Sequence, residues 1–390
     1  MQSHTPQPPS LRHRAWGFVL PLCLCCILLP WIRLLNQDGN LTRPVRFGGD
    51  FDQRLIAPMR ALPHVVQPGP GFDGQFYQQL AMDPLLLRAD TARAMDDARI
   101  RGRRVLTPAL AWTFSLGQPS WALWSYPLLS LVAWLGLGCI LWRLLPRDGA
   151  GAAAFAAILL GPGVIEAASR ALPDLPAFTL ASASLLVVPG TALGLLAAAA
   201  LGRETMLLGF LSRPLPRTGP GQAARWIVGG LAVLAPLALW ALWLQLRFPG
   251  AERIDGTNLT WPLAGLAQRI QAMTTEWSLS EGSGPAAWLA LRGPQSLLLV
   301  VSYLAQLAFI ALRREPDSGL WRWAAASALF SLFLAWPTWE AFYTVTRHLL
   351  PLHLAFNVLL ALRRPRGALT WFILGNAFAL PRLLFWLGYP

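Results

Sequence analysis

The run Gly71-Phe72-Asp73-Gly74-Gln75-Phe76-Tyr77 places one carboxylate between two glycines and among three aromatic rings. A carboxylate in such a setting can act as a general base, taking the proton from an attacking hydroxyl. Gly71 and Gly74 permit backbone angles closed to other residues and let a substrate come close. Phe72, Phe76 and Tyr77 can stack on a sugar ring or anchor the loop at a membrane interface. Asp-Gly is also a common turn pair, so a turn-capping Asp73 accounts for the same letters without chemistry.

Further polar residues interrupt apolar runs. Asp174 directly precedes one: it is either an N-cap worth ~1 kcal/mol, or a second acid lining a cleft, or a metal ligand. Glu166 can pair with Arg170. Arg203-Glu204 falls in the middle of a small-residue run, where charge is expensive and is usually paired or turned to a polar cavity. Arg203 can grip a phosphate through its planar fork or form a structural pair with Glu204. Arg347, next to His348, either binds an anion or snorkels to the interface. Trp339-Glu340 and Tyr343 lie just before it, and Asp83-Pro84 reads as a turn. If a divalent ion such as Mg or Mn is held, Asp73 and Asp174 are its candidate ligands. Neither the five histidines nor Cys23, Cys25, Cys26 and Cys139 have metal-ligand or disulfide spacing. No Gly-rich phosphate loop or nucleophile elbow is present.

The elements that must position these residues are membrane helices. The chain has 390 residues, 55% hydrophobic and only 13% charged, against roughly a quarter charged in soluble domains. Apolar runs long enough for ~30 Å of hydrocarbon recur along it. They are continuous rather than alternating, which argues against a transmembrane β-barrel. The formal charge is +13 with no lysine. The arginines cluster between spans, the pattern of charge kept on the cytoplasmic side. That pattern argues against nucleic acid, which needs a basic soluble surface.

The expected fold is all-α, a polytopic transmembrane helical bundle of about 10–11 segments. A cytoplasmic tail, 1–14, precedes an N-terminal membrane module, 15–246, whose first span is 15–35 and whose extended first external loop is 36–104. In that loop Pro84-Leu85-Leu86-Leu87 is expected to begin a surface helix, and the Arg101–Arg104 cluster to meet headgroups. Residues 191–211 are expected to form two short halves with Arg203-Glu204 near the bend, since broken helices are tolerated where they line a cavity. A second external loop, 247–292, precedes the C-terminal membrane helices, 293–390, with 338–347 a short external loop. On this topology Asp73, Arg170, Asp174, Tyr343 and Arg347 share the external side, as a cleft facing the periplasm requires.

These residues carry a resemblance. The run Gly71–Tyr77, followed by Asp83-Pro84 and by Arg101-Gly102-Arg103-Arg104-Val105-Leu106-Thr107-Pro108, resembles bacterial multi-spanning proteins of the GT-C glycosyltransferase superfamily. So do Arg203-Glu204-Thr205 and Arg347-His348-Leu349-Leu350-Pro351-Leu352. The resemblance implies a GT-C-like bundle in a bacterial inner membrane, with a cytoplasmic N-terminus and a periplasmic cleft. It implies Asp73 as the catalytic aspartate of the first loop, acting as general base. Gly74, Gln75, Tyr77, Arg170, Asp174, Arg203, Glu204, Tyr343 and Arg347 are then the substrate-binding candidates. The implied partners are a lipid-linked sugar donor, on a polyprenyl phosphate or diphosphate, a lipid, glycan or protein acceptor, and membrane lipids. Many such enzymes have an acidic pair in the first loop, whereas Gly74 follows Asp73 here, which leaves metal dependence open. A lipid-linked-sugar or small-solute transporter, and a scaffold that kept the fold without the chemistry, are the competing functional classes.

Overall fold

The computed structural model describes residues 11–38, 40–216, 219–249, 258–278 and 292–381. Its helices are α1 (Leu11–Asp38), α2 (Gly49–Asp52), α3 (Ala57–Arg60), α4 (Gly74–Leu80), α5 (Ala98–Gly102), α6 (Leu106–Phe114), α7 (Pro119–Leu144), α8 (Gly149–Leu159), α9 (Pro162–Ser169), α10 (Asp174–Ala183) and α11 (Pro189–Gly202). A 3-10 helix (Glu204–Ser212) leads to α12 (Pro220–Arg247) and α13 (Ala264–Ser278). Then come α14 (Arg292–Leu312), α15 (Gly319–Ser331), α16 (Trp336–Trp339), α17 (Phe342–His348), α18 (Leu350–Arg363) and α19 (Ala368–Asn376). The described strands are β1 (Phe47–Gly48) and β2 (Val66–Gln67), a short parallel pair inside the first loop. The fold is all-α.

Among the described residues, four helices are long and apolar enough to cross a membrane: α1 over Ala15–Arg33, α7, α12 and α14. Two bent pairs, α8 with α9 (42°) and α17 with α18 (62°), raise the number to six. This is fewer than the 10–11 spans expected from hydropathy. The apolar runs are cut by residues that end helices: Gly161-Pro162, Pro173, Pro189, Arg203 and Pro351 each fall at or within a residue or two of a break. The expected span from residue 368 begins with α19, and its distal part lies outside the described residues.

Helices α10 and α11 are too short to cross. The 14 residues of α11 rise about 21 Å against ~30 Å of hydrocarbon. They form a hairpin turning at Pro189, after which the 3-10 helix runs back, so residues 189–212 begin and end at the same level. The break between the halves is at Arg203, whose backbone is extended (φ −161°). Gly202 makes the close approach possible: a Cβ there would lie 2.8 Å from Ala177 Cβ and 3.1 Å from Leu106 Cδ2. Small residues at such crossings let helix backbones pack tightly.

Contacts sort the charged residues to two ends. At one end Arg147 stacks on Trp142 and Trp16, Arg364 pairs with Asp148, Arg363 pairs with Glu315 at 2.8 Å, and Arg322 caps Leu211 O (2.9 Å) and Arg213 O (2.8 Å). The first loop folds over the other end. It is fastened to the C-terminal part of α12 by Trp240 Nε1 to Gly102 O (2.8 Å), Arg247 Nε to Leu86 O (2.9 Å) and Arg99 Nη2 to Phe248 O (2.6 Å).

Two loop expectations are corrected. Residues 84–87 form no helix: Leu86 is buried at φ 53°, Leu85 and Leu87 are exposed, and the turn is knotted by Asp83. Asp83 Oδ1 and Oδ2 accept from Leu87 N and Arg88 N, each at 3.0 Å, with Thr91 Oγ1 donating to Oδ2 as well. Residues 338–347 form α16 and α17 in large part rather than an open loop, because Trp339 and Val345 are buried in the core of the C-terminal half.

Candidate functional site

The first loop presents Asp73 from the start of α4, and its glycines explain how. Gly71 has φ 68°, a left-handed conformation that favours glycine. Gly74 is helical, and its missing Cβ serves packing: a Cβ there would lie 2.6 Å from Arg170 O and 2.8 Å from Val45 O. The close approach at Gly74 is therefore to the protein's own backbone, at the turn between α9 and α10. Gln75 is sealed within the loop, its amide donating to Pro70 O (2.8 Å) and accepting from Gly48 N (3.1 Å).

Asp73 is 27% exposed and pairs with Arg101 at 2.9 Å. Arg101 also grips Asp96 through Nε (2.9 Å) and Nη2 (2.5 Å), and lies 5.0 Å from the Phe76 ring centre. Burial pushes the Asp73 pKa up, but the charges of Arg101, Arg347 and Arg104 outweigh it and hold the carboxyl below its usual 3.8. Arg104 donates to Tyr77 Oη (3.0 Å) and lies 3.9 Å from Glu204. The Arg101–Arg104 cluster is thus divided. Arg101 and Arg104, three residues apart, turn inward, and Arg103 is exposed.

Behind this layer Asp174 is fully buried between Arg203 and Arg347 (3.2 Å to Arg347). It is the first residue of α10 and makes no capping hydrogen bond, so its carboxylate serves the arginines rather than the helix end. Arg203 pairs with Asp174, three chain segments away, and not with adjacent Glu204. Arg347 is placed by the bend between α17 and α18, where Nε also donates to Tyr343 O (3.1 Å). Arg170 pairs with Glu166 at 2.5 Å, and its guanidinium carbon lies 3.7 Å from the Phe72 ring centre and 4.5 Å from that of Tyr343. The resulting aromatic pair, Phe72 and Tyr343, meets edge to face at 5.2 Å.

The structure therefore gathers Asp73, Tyr77, Arg170, Asp174, Arg203, Glu204, Tyr343 and Arg347 at one end of the bundle. Gln75 faces the loop interior. Trp339 and Glu340 belong elsewhere: Arg269 of α13 donates to Glu340 O (3.0 Å) and pairs with Glu276. His348 lies beside Arg347, its Nδ1 2.9 Å from Thr344 O. Sequence reasoning missed Arg101 and Arg104. Their i, i+3 spacing at the end of a short helix was the available signal.

The cluster lies level with Trp240, seven residues before the end of α12, or about 10 Å along that helix. Four guanidinium groups (Arg101, Arg104, Arg203, Arg347) face three carboxylates (Asp73, Asp174, Glu204). Arg203 Nε is shielded from solvent and has no hydrogen-bond acceptor among the described residues, and Arg104 Nε, also shielded, has only Glu204 Oε2 at 3.9 Å, beyond hydrogen-bond reach. A buried N–H without an acceptor is costly, and both are suited to an anionic oxygen. The donor set fits a divalent cation poorly. Asp174 is enclosed by two arginines, Asp73 is held by a third, and no group of three or more potential ligands occurs among the described residues.

Comparison of the chain with protein-family models, with curated proteins and with solved structures gave no match.

Proposed function

We propose that the chain is an integral membrane glycosyltransferase with a GT-C-like bundle, moving a sugar from a polyprenyl-phosphate carrier to an acceptor on the periplasmic side of a bacterial inner membrane. The observation that carries this reading is the pairing of one partly exposed carboxylate, Asp73, with an arginine cluster that holds unfilled N–H donors. The acceptor hydroxyl oxygen attacks the anomeric carbon, and the bond from that carbon to the phosphate oxygen breaks. The hydroxyl proton goes to Asp73, and the electron pair leaves with the phosphate. Arg203, Arg347 and Arg104 meet the charge that gathers there. Arg101 releases Asp73 as the acceptor arrives and keeps its two bonds to Asp96. A lipid-borne donor reaches such a site sideways through the bilayer, which accounts for a cluster set below the rim of the helices.

The half-length helices α10 and α11 also suit a transporter of lipid-linked sugar. One experiment separates the two. A strain lacking the protein is complemented with wild type or with Asp73→Asn, and its glycan linkages and exported precursors are analysed. A transferase loses one sugar linkage with precursor export intact, and Asp73→Asn does not restore it. Full restoration by Asp73→Asn removes the mechanism, and loss of export instead favours the transporter.

A further inference from the structure

At the end of the bundle opposite the first loop, a cavity of about 280 Å³ opens between the start of α11, the end of the 3-10 helix and the first turns of α12. Its apolar wall includes Leu193, Phe210 and Trp226, and Gly229 forms the floor, with a Cβ there only 3.5 Å from the Phe210 ring. Its polar lining is Arg213, Gln222 and Arg225, with no acidic residue. Arg213 Nη2 donates to Ser184 O (3.0 Å) at the end of α10. Arg213 Nε and Trp226 Nε1 are shielded from solvent and lack an acceptor among the described residues. The surface beside the cavity is apolar: Val188, Ile227 and Val228 are all exposed. Two guanidiniums, two unfilled N–H donors and a greasy lip thus meet at one end of membrane helices.

We propose that this cavity binds the headgroup of an anionic phospholipid, with the phosphate against Arg213, Arg225 and the Trp226 N–H. The acyl chains then lie along the exposed apolar face of α12. A zwitterionic headgroup brings its own cation to a site that already has two, and a soluble phosphate leaves the apolar lip in water. Basic pockets between membrane helices take anionic headgroups on these grounds. The site is remote from Asp73, and the proposal does not depend on sugar transfer.

The test uses the delipidated full chain in neutral detergent, titrated with phosphatidylglycerol, phosphatidylcholine or glycerol 3-phosphate and read by native mass spectrometry. Phosphatidylglycerol should bind at least about tenfold tighter than either of the others, since each arginine near such a surface contributes about a fivefold factor. Arg225→Gln should weaken it about fivefold, and Arg213→Gln with Arg225→Gln about 25-fold. Arg313→Gln with Arg314→Gln removes the same charge from the end of α14, away from the cavity, and should leave binding unchanged. Because Arg213 also caps α10, Arg225→Gln alone decides the matter if the double variant fails to fold. Equal binding by Arg225→Gln and wild type overturns the site. Equal losses in the Arg313/Arg314 control reduce it to general surface charge and also overturn it. Glycerol 3-phosphate binding as tightly as phosphatidylglycerol makes it a soluble-phosphate site and overturns the lipid assignment.

Discussion

Changing Asp174 to Asn removes one charge and leaves the shape of the side chain nearly unaltered. Asp174 is fully buried, Arg203 is 2% exposed and Arg347 5% exposed in their side chains, so water cannot compensate either arginine. Breaking a buried ion pair by removing one partner costs about 3–5 kcal/mol, and here one carboxylate serves two guanidiniums. At about 2.1 cal/mol/K of unfolding entropy per residue, 390 residues convert that loss into a fall of roughly 4–6 °C. Thermal unfolding of the detergent-solubilised chain, followed by tryptophan fluorescence, reads this directly. The triple change Asp174→Leu, Arg203→Met, Arg347→Met removes all three charges, and it should recover most of the lost stability while abolishing any function of the arginines. An Asp174→Asn protein that unfolds at the wild-type temperature would refute the reasoning, because the two arginines would then be balanced by something other than this carboxylate.

Other perturbations give distinct readouts. Arg101→Gln removes one of the charges that depress the Asp73 pKa, so that pKa rises and the acid limb of any Asp73-dependent activity moves to higher pH in a pH–rate profile. Because the folded Asp73 pKa is depressed, its ion pairing is fully present above the usual carboxylate range and is lost as pH falls through the lowered value; acid unfolding of Asp73→Asn should show a correspondingly weaker pH dependence below about pH 4. Gly74→Ala drives a methyl against two backbone carbonyl oxygens that cannot rotate away, at a cost of about 1–3 kcal/mol in thermal unfolding. Asn357→Leu breaks a reciprocal amide pair with Asn376 (3.0 Å each way) and should destabilise by about 1–3 kcal/mol.

The helical class was legible because composition and the length of apolar runs are properties of local sequence. The number of full crossings was not. Hydropathy counts an apolar run as a span whether it is straight or folded at Gly161-Pro162 or Arg203, and only packing decides the angle. Asp73 stood out because its neighbours are unusual, and Arg203 because a charge in an apolar run demands a partner. The partner itself was hidden: Asp174 is 29 residues away in sequence and reaches Arg203 only because the small side chains of Ala177 and Gly202 let two backbones touch. Arg101 and Arg104 looked like headgroup anchors, since arginine beside a span usually is one, and their inward turn depends on how α5 docks on Trp240 and Leu244. The buried network of Gln306, His353, Asn357 and Asn376 was equally invisible, being assembled from three helices.

The fastening of the first loop to α12 makes that helix a lever. Trp240 holds the carbonyl of Gly102, one residue from Arg101 and two from Arg104, and Arg247 and Phe248 clasp the same loop further out. A sideways lean of α12 would therefore pull on Gly102 and on the two arginines beside it, which hold Asp73 and Tyr77.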